Sequence, residues 1–513
     1  MNGAACLYET LLRNRVNLCL MNPGTSELEF VTALDRVPAM RAVLCLFEGV
    51  CAGAADGYAR MASRPAAALF HMGPGLANAL GYLHNTRKAH SPVAAIAGQH
   101  TAWHVAYESP LKSDIGAFAR TVSGWVEEIR SADTIGAAAS AAVRAAQEPP
   151  GQISTLIVPA DVSWSEAGEL GPFVAPPERR APASEKIREA ARILRSGEPA
   201  ALFLSGSALV GRGLEAAGRL AASTGVRVLT GRFFSRMERG SNRFAPERVP
   251  YFPEAAEPVV AGLRHMIVVE AAPPVSFFGY RGRRSLVAPE DCALYELASV
   301  DQDGPAALDA LAAECGATQS PRILRRPPQL PSGTRLTPLE IGQTVAALLP
   351  EGAIVCDEAV SSGEPISACL DEAAPHDFLA VTGGAIGHGL PLALGAALAC
   401  PDRKVVALEG DGSGMYTLQA LWTMARERLD VVAVILANRR YRILGIELAR
   451  NGAAGPLASG MIDLGRPDLD WVKLAEGMGV AATRAGTASE FAIQFQAAMR
   501  EPGPRLIEAI LQA

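Results

Sequence analysis

The chain of 513 residues is 49% hydrophobic and 19% charged, and its formal net charge is −6. This composition is typical of a globular protein with about three domains of ordinary size, and it excludes a disordered or fibrous chain. The sequence contains no block of basic residues, so its charge pattern indicates neither a nucleic acid nor an anionic membrane surface as a partner.

The first residues, MNGAACLYETLLRNRVNLCLM, have no basic segment before their apolar stretches, which Glu9, Arg13 and Arg15 interrupt. This pattern predicts neither a signal peptide nor a membrane span, and we expect a cytoplasmic protein. Nine cysteines are scattered without the spacing of a zinc site. We interpret them as small buried residues in a reducing compartment.

Two proline-rich stretches divide the sequence, around residues 171–185 and 320–338, and we interpret both as linkers. The predicted domains are therefore residues 1–170, 186–320 and 338–513. Within each domain, short apolar runs alternate with longer alanine-rich helical stretches. This alternation is typical of parallel α/β domains.

The predicted strands are nearly continuous hydrophobic runs, as expected for strands that helices cover on both faces. The predicted fold class is therefore α/β, with three doubly wound parallel-sheet domains. In chain order the runs are NLCLM, AVLCLFE, AALFHM, VAAIAG, STLIVPA, AALFLSGS, VRVLTG, HMIVVEA, LYELASV, AIVCDE, DFLAVTG, KVVALEG, VVAVILAN and RLIEAIL. The GSALVGRG turn of the middle segment matches neither a Walker nor a dinucleotide fingerprint, so phosphate binding is not predicted there.

The stretch KVVALEGDGSGMYTLQALWTMA places Asp411 in a glycine-rich turn between an apolar strand and a helix. Backbone amides of Gly410, Gly412 and Ser413 would attract phosphate, whereas a bare carboxylate would repel it. A bridging Mg²⁺ resolves this conflict, and Asn438, 27 residues later at the end of the next strand, supplies a second oxygen. The alternative is an ordinary surface turn in which Asp411 caps the following helix.

A GDG motif followed by an asparagine at this spacing resembles the thiamine diphosphate enzymes. The resemblance covers nearly the whole chain and implies pyrimidine-binding, central and diphosphate-binding domains, with thiamine diphosphate and Mg²⁺ as cofactors. It also implies a third metal ligand, the main-chain carbonyl of Arg440. The sequence departs from the pattern at Arg439, where many members have a second asparagine.

Further cofactor contacts follow from the same resemblance. Glu48, in AVLCLFEGVCAGAADGYARM, resembles the glutamate that activates the cofactor through its aminopyrimidine ring, and Asp56 in that stretch is interpreted as structural. In AVTGGAIGHGLPLALGAA, the carbonyl of Gly384 would accept from the 4′-amino group and Ile386 would hold the cofactor bent. Ser361 would contact the diphosphate. The alternatives are that Glu48 is a solvated or capping acid, that Gly384 is an ordinary loop glycine and that Ile386 is a core residue.

Several stretches resemble benzoylformate decarboxylase most, and the acetolactate synthase large subunit next: NPGTSELEF, ADGYARM, LFHMGPGLANALGYLHN, HSPVAAIAGQ and DLDWVKLAEGMGV. The resemblance makes His71 a proton donor to the reacting carbon and makes Thr25 a ligand of the substrate carboxylate. A buried structural role is the alternative for His71. The decarboxylase has a second active-site histidine in its central domain, whereas AAPPVSFFGYRGRR has Phe277 and Phe278.

The predicted function is non-oxidative decarboxylation of a 2-oxo acid, with carboligation as a further outcome. An acetolactate synthase-type carboligase and a non-catalytic regulator of the same fold are the alternatives. No FAD is expected, because no extension follows RLIEAILQA. The resemblance implies a homodimer or homotetramer with active sites at the subunit interface. The segment RRYRILGIELARNGAAGPLASGM is predicted to be a mobile cover of the site.

Overall fold

The structure is a computed structural model that describes residues 1–321, 328–452 and 455–512. Part of the predicted linker at 320–338 and two residues of the predicted cover therefore lie outside the described residues. The described chain forms two compact units. The first contains Met1–Pro177, Gln329–Cys369 and Val381–Ala513, and the second contains Glu178–Pro328 and Leu370–Ala380.

The first sheet has six parallel strands in the order β2-β1-β3-β4-β6-β5. Its strands are β1 Leu18–Met21, β2 Arg41–Leu44, β3 Ala66–Phe70, β4 Val93–Gln99, β5 Trp125–Glu128 and β6 Ile153–Pro159. Its helices are α1 Gly3–Arg13, α2 Leu28–Arg36, α3 Glu48–Ala62, α4 Met72–Lys88, α5 Ile115–Val122, α6 Ile135–Gln147 and α7 Ala160–Trp164. β3, β4 and β6 are buried along their whole length, as their hydrophobic runs predict.

The central sheet, in the second unit, has five parallel strands in the order β10-β8-β7-β11-β12. These strands are β7 Ala200–Leu204, β8 Arg227–Thr230, β10 Glu247–Arg248, β11 His265–Val269 and β12 Ala293–Ala298. Its helices are α8 Ser184–Arg195, α9 Arg212–Thr224, α10 Pro253–Val260 and α11 Gly304–Glu314.

The third sheet contributes five parallel strands to the first unit, in the order β17-β18-β16-β15-β13. These strands are β13 Ile354–Glu358, β15 Val405–Gly410, β16 Val431–Ala437, β17 Ala481–Ala485 and β18 Arg505–Ile510. Its helices are α12 Pro338–Leu348, α13 Gly363–Leu370, α14 Gly389–Ala399, α15 Asp411–Gly414, α16 Gln419–Glu427, α17 Arg442–Arg450, α18 Pro456–Gly460, α19 Trp471–Gly477 and α20 Ala488–Arg500.

The predicted strand DFLAVTG forms β14, His376–Ala380, which lies in the second unit. β14 pairs antiparallel with β9, Met237–Arg239, and Phe378 is opposite Met237. The guanidinium of Arg239 lies 4.8 Å from the centre of the Phe378 ring, a cation–π distance. The strand was predicted, but its antiparallel partner was not.

α3 and α14 pack closely in the first unit and join the first sheet to the third. A Cβ built on Gly395 would lie 1.9 Å from the carbonyl oxygen of Ala54, so only glycine permits this approach. At the same interface Asp56 accepts from Arg60 Nε at 2.8 Å and contacts His388 Nε2 at 2.7 Å. Burial alone would raise the pKa of Asp56, but Arg60 and His388 hold it below its usual range. These contacts agree with the structural role predicted for Asp56.

The predicted fold class is confirmed, since the chain forms three parallel-sheet α/β domains. The predicted domain boundaries stay predictions. Four strands were missed. They are short or partly exposed, so the hydrophobic run that marks a buried strand is absent: β5, β9, β10 and β17.

Candidate active site

Asp411 begins α15 directly after β15 ends at Gly410. Gly410 is paired with Leu436 of the neighbouring parallel strand β16, so Asp411 and Asn438 follow adjacent strand ends. Asp411 Oδ2 accepts from the backbone N–H of Arg439 at 2.6 Å. The structure therefore brings the acid of the GDG turn and the asparagine region to one edge of the sheet, as predicted.

The carboxylate of Asp411 lies in an environment that suits a bound cation. Asp411 is 4% exposed, and burial raises the pKa of its carboxyl to about 6 although the N–H groups of Arg439 and Gly412 oppose this. No ion pair between described residues involves Asp411. A divalent cation would stabilise the charged carboxylate, so the donor fits Mg²⁺.

The other two predicted ligands lie beside Asp411 and carry hard oxygen atoms. Asn438 Oδ1 accepts from the N–H of Arg440 at 3.0 Å, and the carbonyl of Arg440 accepts from the N–H of Arg442 at 2.8 Å. Each oxygen keeps a second lone pair. No cluster of three or more His, Cys, Asp or Glu side chains that could hold a metal occurs among the described residues. A site here would therefore need phosphate and water oxygens to complete the coordination of Mg²⁺.

The hydroxyl of Ser413 is hydrogen-bonded to neighbouring groups of the chain. Ser413 Oγ donates to Glu409 Oε1 and also lies 3.2 Å from the carbonyl oxygen of Gly410. The part of Ser413 left for a phosphate is its backbone. The turn itself is short, since α15 spans only Asp411–Gly414.

A pair of buried carboxyls, Glu358 and Glu409, was missed by the sequence analysis. Glu358 ends β13 and accepts from the N–H groups of Gly387, at 2.8 Å, and Gly389, at 2.5 Å. Burial raises the pKa of Glu358 to about 7, although the N–H groups of Gly389 and Gly387 and a hydrogen bond with Glu409 oppose this. Burial also raises the pKa of Glu409 well above its usual range, and the charge of Glu358 raises it further. The signal in the sequence was an acid within the apolar run KVVALEG.

The loop that carries Gly384 and Ile386 is fixed by side chains of α4. Asn85 Nδ2 donates to the carbonyl of Ala385 at 2.7 Å, and Asn85 Oδ1 accepts from the N–H of the same residue at 3.2 Å. Gly384 has φ +77, a left-handed conformation that favours glycine. Ile386 is half-buried. The predicted contacts of these residues with a cofactor stay predictions, and the role of Asn85 was missed.

Ser361 lies in the 3-10 turn Val360–Ser362, which follows β13. β13 pairs with β15, so this turn lies at the same sheet edge as Asp411. Ser361 is half-buried. Its position is compatible with the diphosphate contact that the resemblance implies, which stays a prediction.

Glu48 does not end a strand, because β2 stops at Leu44 and Glu48 is the first residue of α3. Its side chain is buried, with 6% of the residue exposed. Its two carboxylate oxygens accept from the amides of Asn22, at 3.2 Å, and Asn78, at 3.1 Å. These asparagines orient the carboxyl group and were missed by the sequence analysis.

His71 follows β3, and its imidazole is held by a fully buried carboxylate. His71 Nδ1 lies 2.7 Å from Glu27 Oε2 and 3.2 Å from Ser26 Oγ. A Cβ on Gly24 would lie 2.1 Å from His71 Nδ1, so glycine is needed where this loop meets the imidazole. Glu27 was not predicted, although it is the acid that ends the stretch NPGTSE. Thr25, predicted to bind the substrate carboxylate, is exposed on the same loop.

Glu48 and His71 lie on either side of Gly75. A Cβ built on Gly75 would lie 3.2 Å from Glu48 Oε1 and 3.2 Å from the Cβ of His71. Two predicted catalytic residues, 23 positions apart in the sequence, are therefore neighbours in the structure. A carboxyl and a histidine on neighbouring elements are the kinds of group that can hold and move protons for one reacting molecule.

The two phenylalanines that replace a second histidine belong to an aromatic cluster of the central domain. The ring of Phe277 lies 5.2 Å from that of Phe233 and 5.3 Å from that of Tyr251. Phe278 packs against Phe277 at 4.7 Å. Phe277 and Phe278 are 40% and 55% exposed, so their rings are available to a ligand.

No helix in the described part of the chain is both long enough and apolar enough to cross a bilayer.

Comparison with known families gives two matches in this chain. Residues 1–120 match the model described as thiamine pyrophosphate enzyme, N-terminal TPP binding domain, and residues 367–509 match the C-terminal TPP binding domain of the same enzymes. The two matched segments contain Glu48 and Asp411, respectively.

Two relatives and one solved structure extend the match over the whole chain. IlvX of Mycobacterium tuberculosis H37Rv, whose name provisionally assigns it as an acetolactate synthase large subunit, is 48% identical over 100% of this chain and 99% of its own. Benzoylformate decarboxylase of Pseudomonas aeruginosa is 30% identical over 98% of each chain. The thiamine diphosphate-dependent 4-hydroxybenzoylformate decarboxylase of Rhodococcus jostii RHA1 has a TM-score of 0.87 and 27% identity, covering 100% of this chain and 99% of that one. The chain therefore belongs to the thiamine pyrophosphate enzyme family, with relatives named benzoylformate decarboxylase and acetolactate synthase large subunit.

Proposed function

We propose that the protein is a thiamine diphosphate- and Mg²⁺-dependent enzyme that decarboxylates a 2-oxo acid and also joins carbonyl compounds as a second outcome. The observation that carries this proposal is the placement of Glu48 and His71 on either side of Gly75. Decarboxylation to an aldehyde needs one group that activates the cofactor and one that delivers a proton. The pair supplies both kinds of group.

The oxygen donors at the ends of β15 and β16 would hold the metal and the diphosphate. Asp411, Asn438 and the carbonyl of Arg440 bind Mg²⁺ in this proposal, supported by their adjacency and by the buried state of Asp411. The remaining diphosphate contacts are assigned to Gly410, Gly412, Ser413 and Ser361. Bound thiamine diphosphate would supply the carbon nucleophile and the electron sink for loss of CO₂.

Glu48 holds a proton at one end of the cofactor. Its carboxyl is oriented by Asn22 and Asn78, which donate to separate oxygens. A carboxyl fixed in this way shares a proton with the aminopyrimidine ring without reorienting during the reaction. The carbonyl of Gly384 would accept from the 4′-amino group of that ring, and the side chain of Ile386 would hold the cofactor bent.

His71 delivers a proton to the product carbon through Nε2. Glu27 accepts a hydrogen bond from Nδ1–H of His71, which selects the tautomer protonated at Nδ1. The same carboxylate balances the charge when the imidazole is protonated. Thr25, exposed on the same loop, orients the substrate carboxylate.

An acetolactate synthase-type carboligase is the second candidate. The observation that favours it is the name of the 48% identical relative, an acetolactate synthase large subunit. In that reaction a second carbonyl compound takes the place of the proton from His71. The two candidates use the same cofactor residues and differ in what meets the reacting carbon.

The test is a product analysis with the full chain, thiamine diphosphate and Mg²⁺. Pyruvate, branched 2-oxo acids and aromatic 2-oxo acids are each supplied, and the aldehydes and coupled products are identified. We expect an aldehyde to be the main product from at least one acid. A dominant acetohydroxy acid from pyruvate would favour the carboligase instead, and no product from any acid would favour a non-catalytic regulator.

Replacement of Glu48 by glutamine tests the activation step in the same assay. We expect Glu48→Gln to lower kcat by about 10²- to 10⁴-fold, because the amide cannot exchange a proton with the ring. Glu128→Gln, on the exposed end of β5, is the matched control and should keep full activity. Normal turnover by Glu48→Gln would remove Glu48 from the mechanism.

We also propose that the protein is a homodimer or homotetramer with active sites at the subunit interface. Support comes from an exposed aromatic patch on the first domain, formed by Trp103, Tyr107 and Trp164, which are 63%, 67% and 47% exposed. Large exposed aromatic side chains grouped in this way are typical of protein interfaces. Light scattering should give at least twice the chain mass of 53.7 kDa, and a monomeric mass in an active preparation would contradict the proposal.

A further inference from the structure

The central sheet has the topology of a nucleotide-binding sheet. Its strand order, β10-β8-β7-β11-β12, reverses direction between β7 and β11. In open parallel sheets, phosphate-bearing ligands bind beyond the carboxyl ends of the strands at such a reversal. The GSALVGRG turn, which follows β7, and the residue that follows β11 therefore meet at the position where a ligand is expected.

That position holds the side chain of Glu270, the first residue after β11. Its carboxylate accepts from four donors. Ser207 donates through its backbone N–H and its hydroxyl, both at 2.6 Å, Gly304 donates through its N–H at 2.8 Å, and Arg179 donates through its guanidinium at 3.0 Å. The Glu270 side chain is only 2% exposed.

These donors are the kind that bind a phosphate. Gly304 is the first residue of the eleven-residue helix α11, so its N–H lies at the positive end of that helix. The backbone N–H and hydroxyl of Ser207 and the guanidinium of Arg179 are the other donors. Together these groups can bind a negatively charged oxygen group from several directions. All of these donors bind one anion, the carboxylate of Glu270, which is part of the chain itself.

The backbone around Glu270 is fitted to the carboxylate. A Cβ built on Gly206 would lie 2.3 Å from Glu270 Oε2, and one built on Gly304 would lie 2.7 Å from Glu270 Oε1. Glu270 itself has φ +49, a left-handed conformation that is unfavourable for a residue with a side chain. Strain of this kind persists only where the surrounding contacts impose it.

We infer that Glu270 occupies an anion-binding site of the central domain and takes the place of the phosphate of a nucleotide-type ligand. The domain then keeps the topology of a nucleotide-binding sheet but closes its phosphate site with an internal carboxylate. Without that carboxylate, Arg179 and the N–H groups of Ser207 and Gly304 lose their shared acceptor. The emptied site would take a phosphate ester such as ADP. This inference concerns the central domain and does not depend on the proposed reaction.

The test is calorimetric titration of the full chain with ADP. Saturating thiamine diphosphate and Mg²⁺ are present, so that the diphosphate site proposed at the Gly410–Ser413 turn is already occupied and cannot bind ADP. Wild type and Glu215→Ala should show no binding. Glu215 is the matched control, because it is an exposed acid in the first turn of a neighbouring helix, α9. Glu270→Ala should bind one ADP per chain, at least tenfold more tightly than the weakest affinity that the titration would have detected in wild type.

One ADP bound per chain by wild type would overturn the inference, as would a folded Glu270→Ala protein with no gain in ADP affinity. A second variant decides the matter if Glu270→Ala does not fold. Glu270→Gln keeps the size of the side chain but turns an NH₂ group toward donors, so its melting temperature should fall below that of Glu215→Gln. Phosphate should restore part of the loss when chloride of equal ionic strength does not. Equal melting temperatures of these two glutamine variants would also overturn the inference.

Discussion

At the scale of single residues, the site depends on side chains that orient other side chains. Glu27 touches no predicted substrate position, yet its buried carboxylate fixes the imidazole of His71 through Nδ1 at 2.7 Å. Asn22 and Asn78 do the same for Glu48. Orientation of this kind preserves geometry and proton position during a reaction.

Replacement of Glu27 by glutamine tests whether it acts through His71. The amide still fills the buried space, but it cannot balance a protonated imidazole, so we expect aldehyde release to fall about tenfold or more relative to carboligation. His71→Ala should lower the ratio of aldehyde to coupled product more than Glu27→Gln does. The ratio of aldehyde to coupled product is the measurement, with Glu128→Gln as the control. An unchanged ratio in Glu27→Gln would show that Glu27 has no positioning role.

At the scale of elements, buried polar groups lie where strands and helices begin. His376 is the first residue of β14 and is 1% exposed. Burial lowers the pKa of His376 to about 4, assisted by Arg239 and Arg243 and opposed by the carbonyl of Ala374 and by Asp377. The imidazole is therefore neutral in the folded protein, with Nδ1 facing the Ala374 carbonyl at 2.8 Å.

This lowered pKa predicts acid sensitivity of the folded chain. The unfolded state takes up a proton near pH 6.5 and the folded state only near pH 4, so the contribution of His376 is complete above about pH 6.5. It is lost as the pH falls toward 4, by at most about 3 kcal/mol. Urea midpoints measured across this range should therefore fall less steeply in His376→Asn than in wild type.

The matched control for His376 is His104→Asn, since His104 is exposed and its replacement should leave the slope unchanged. Equal slopes for wild type and His376→Asn would show that His376 does not contribute to the acid sensitivity.

Some strands and site residues could be predicted from the sequence, and others could not. Long apolar runs identified the buried strands, and the ends of two of these runs located Asp411 and Asn438 at one sheet edge. Short or exposed strands such as β17 lack such a run, since β17 lies at the edge of its sheet and three of its five residues are exposed. Glu27 escaped prediction because its partner, His71, is 44 residues away and meets it only in the folded chain.

At the scale of the whole molecule, three similar sheets serve different purposes. The first sheet carries Glu48 and His71 near the ends of its strands, and the third carries Asp411 and Asn438. The central sheet has the same kind of crevice but fills it with Glu270. One architecture therefore provides two parts of a proposed active site and one closed anion site.

The measurement that tests the central claim most directly is calorimetric titration of the full chain with thiamine diphosphate, with and without Mg²⁺. The account predicts one cofactor per chain that binds only with Mg²⁺, and at least about tenfold weaker binding by Asp411→Asn. Asp468→Asn, a nearby acid whose side chain is 47% exposed, is the control and should bind like wild type. Binding that is unchanged by removal of Mg²⁺ and by Asp411→Asn, or no binding at all, would contradict the account.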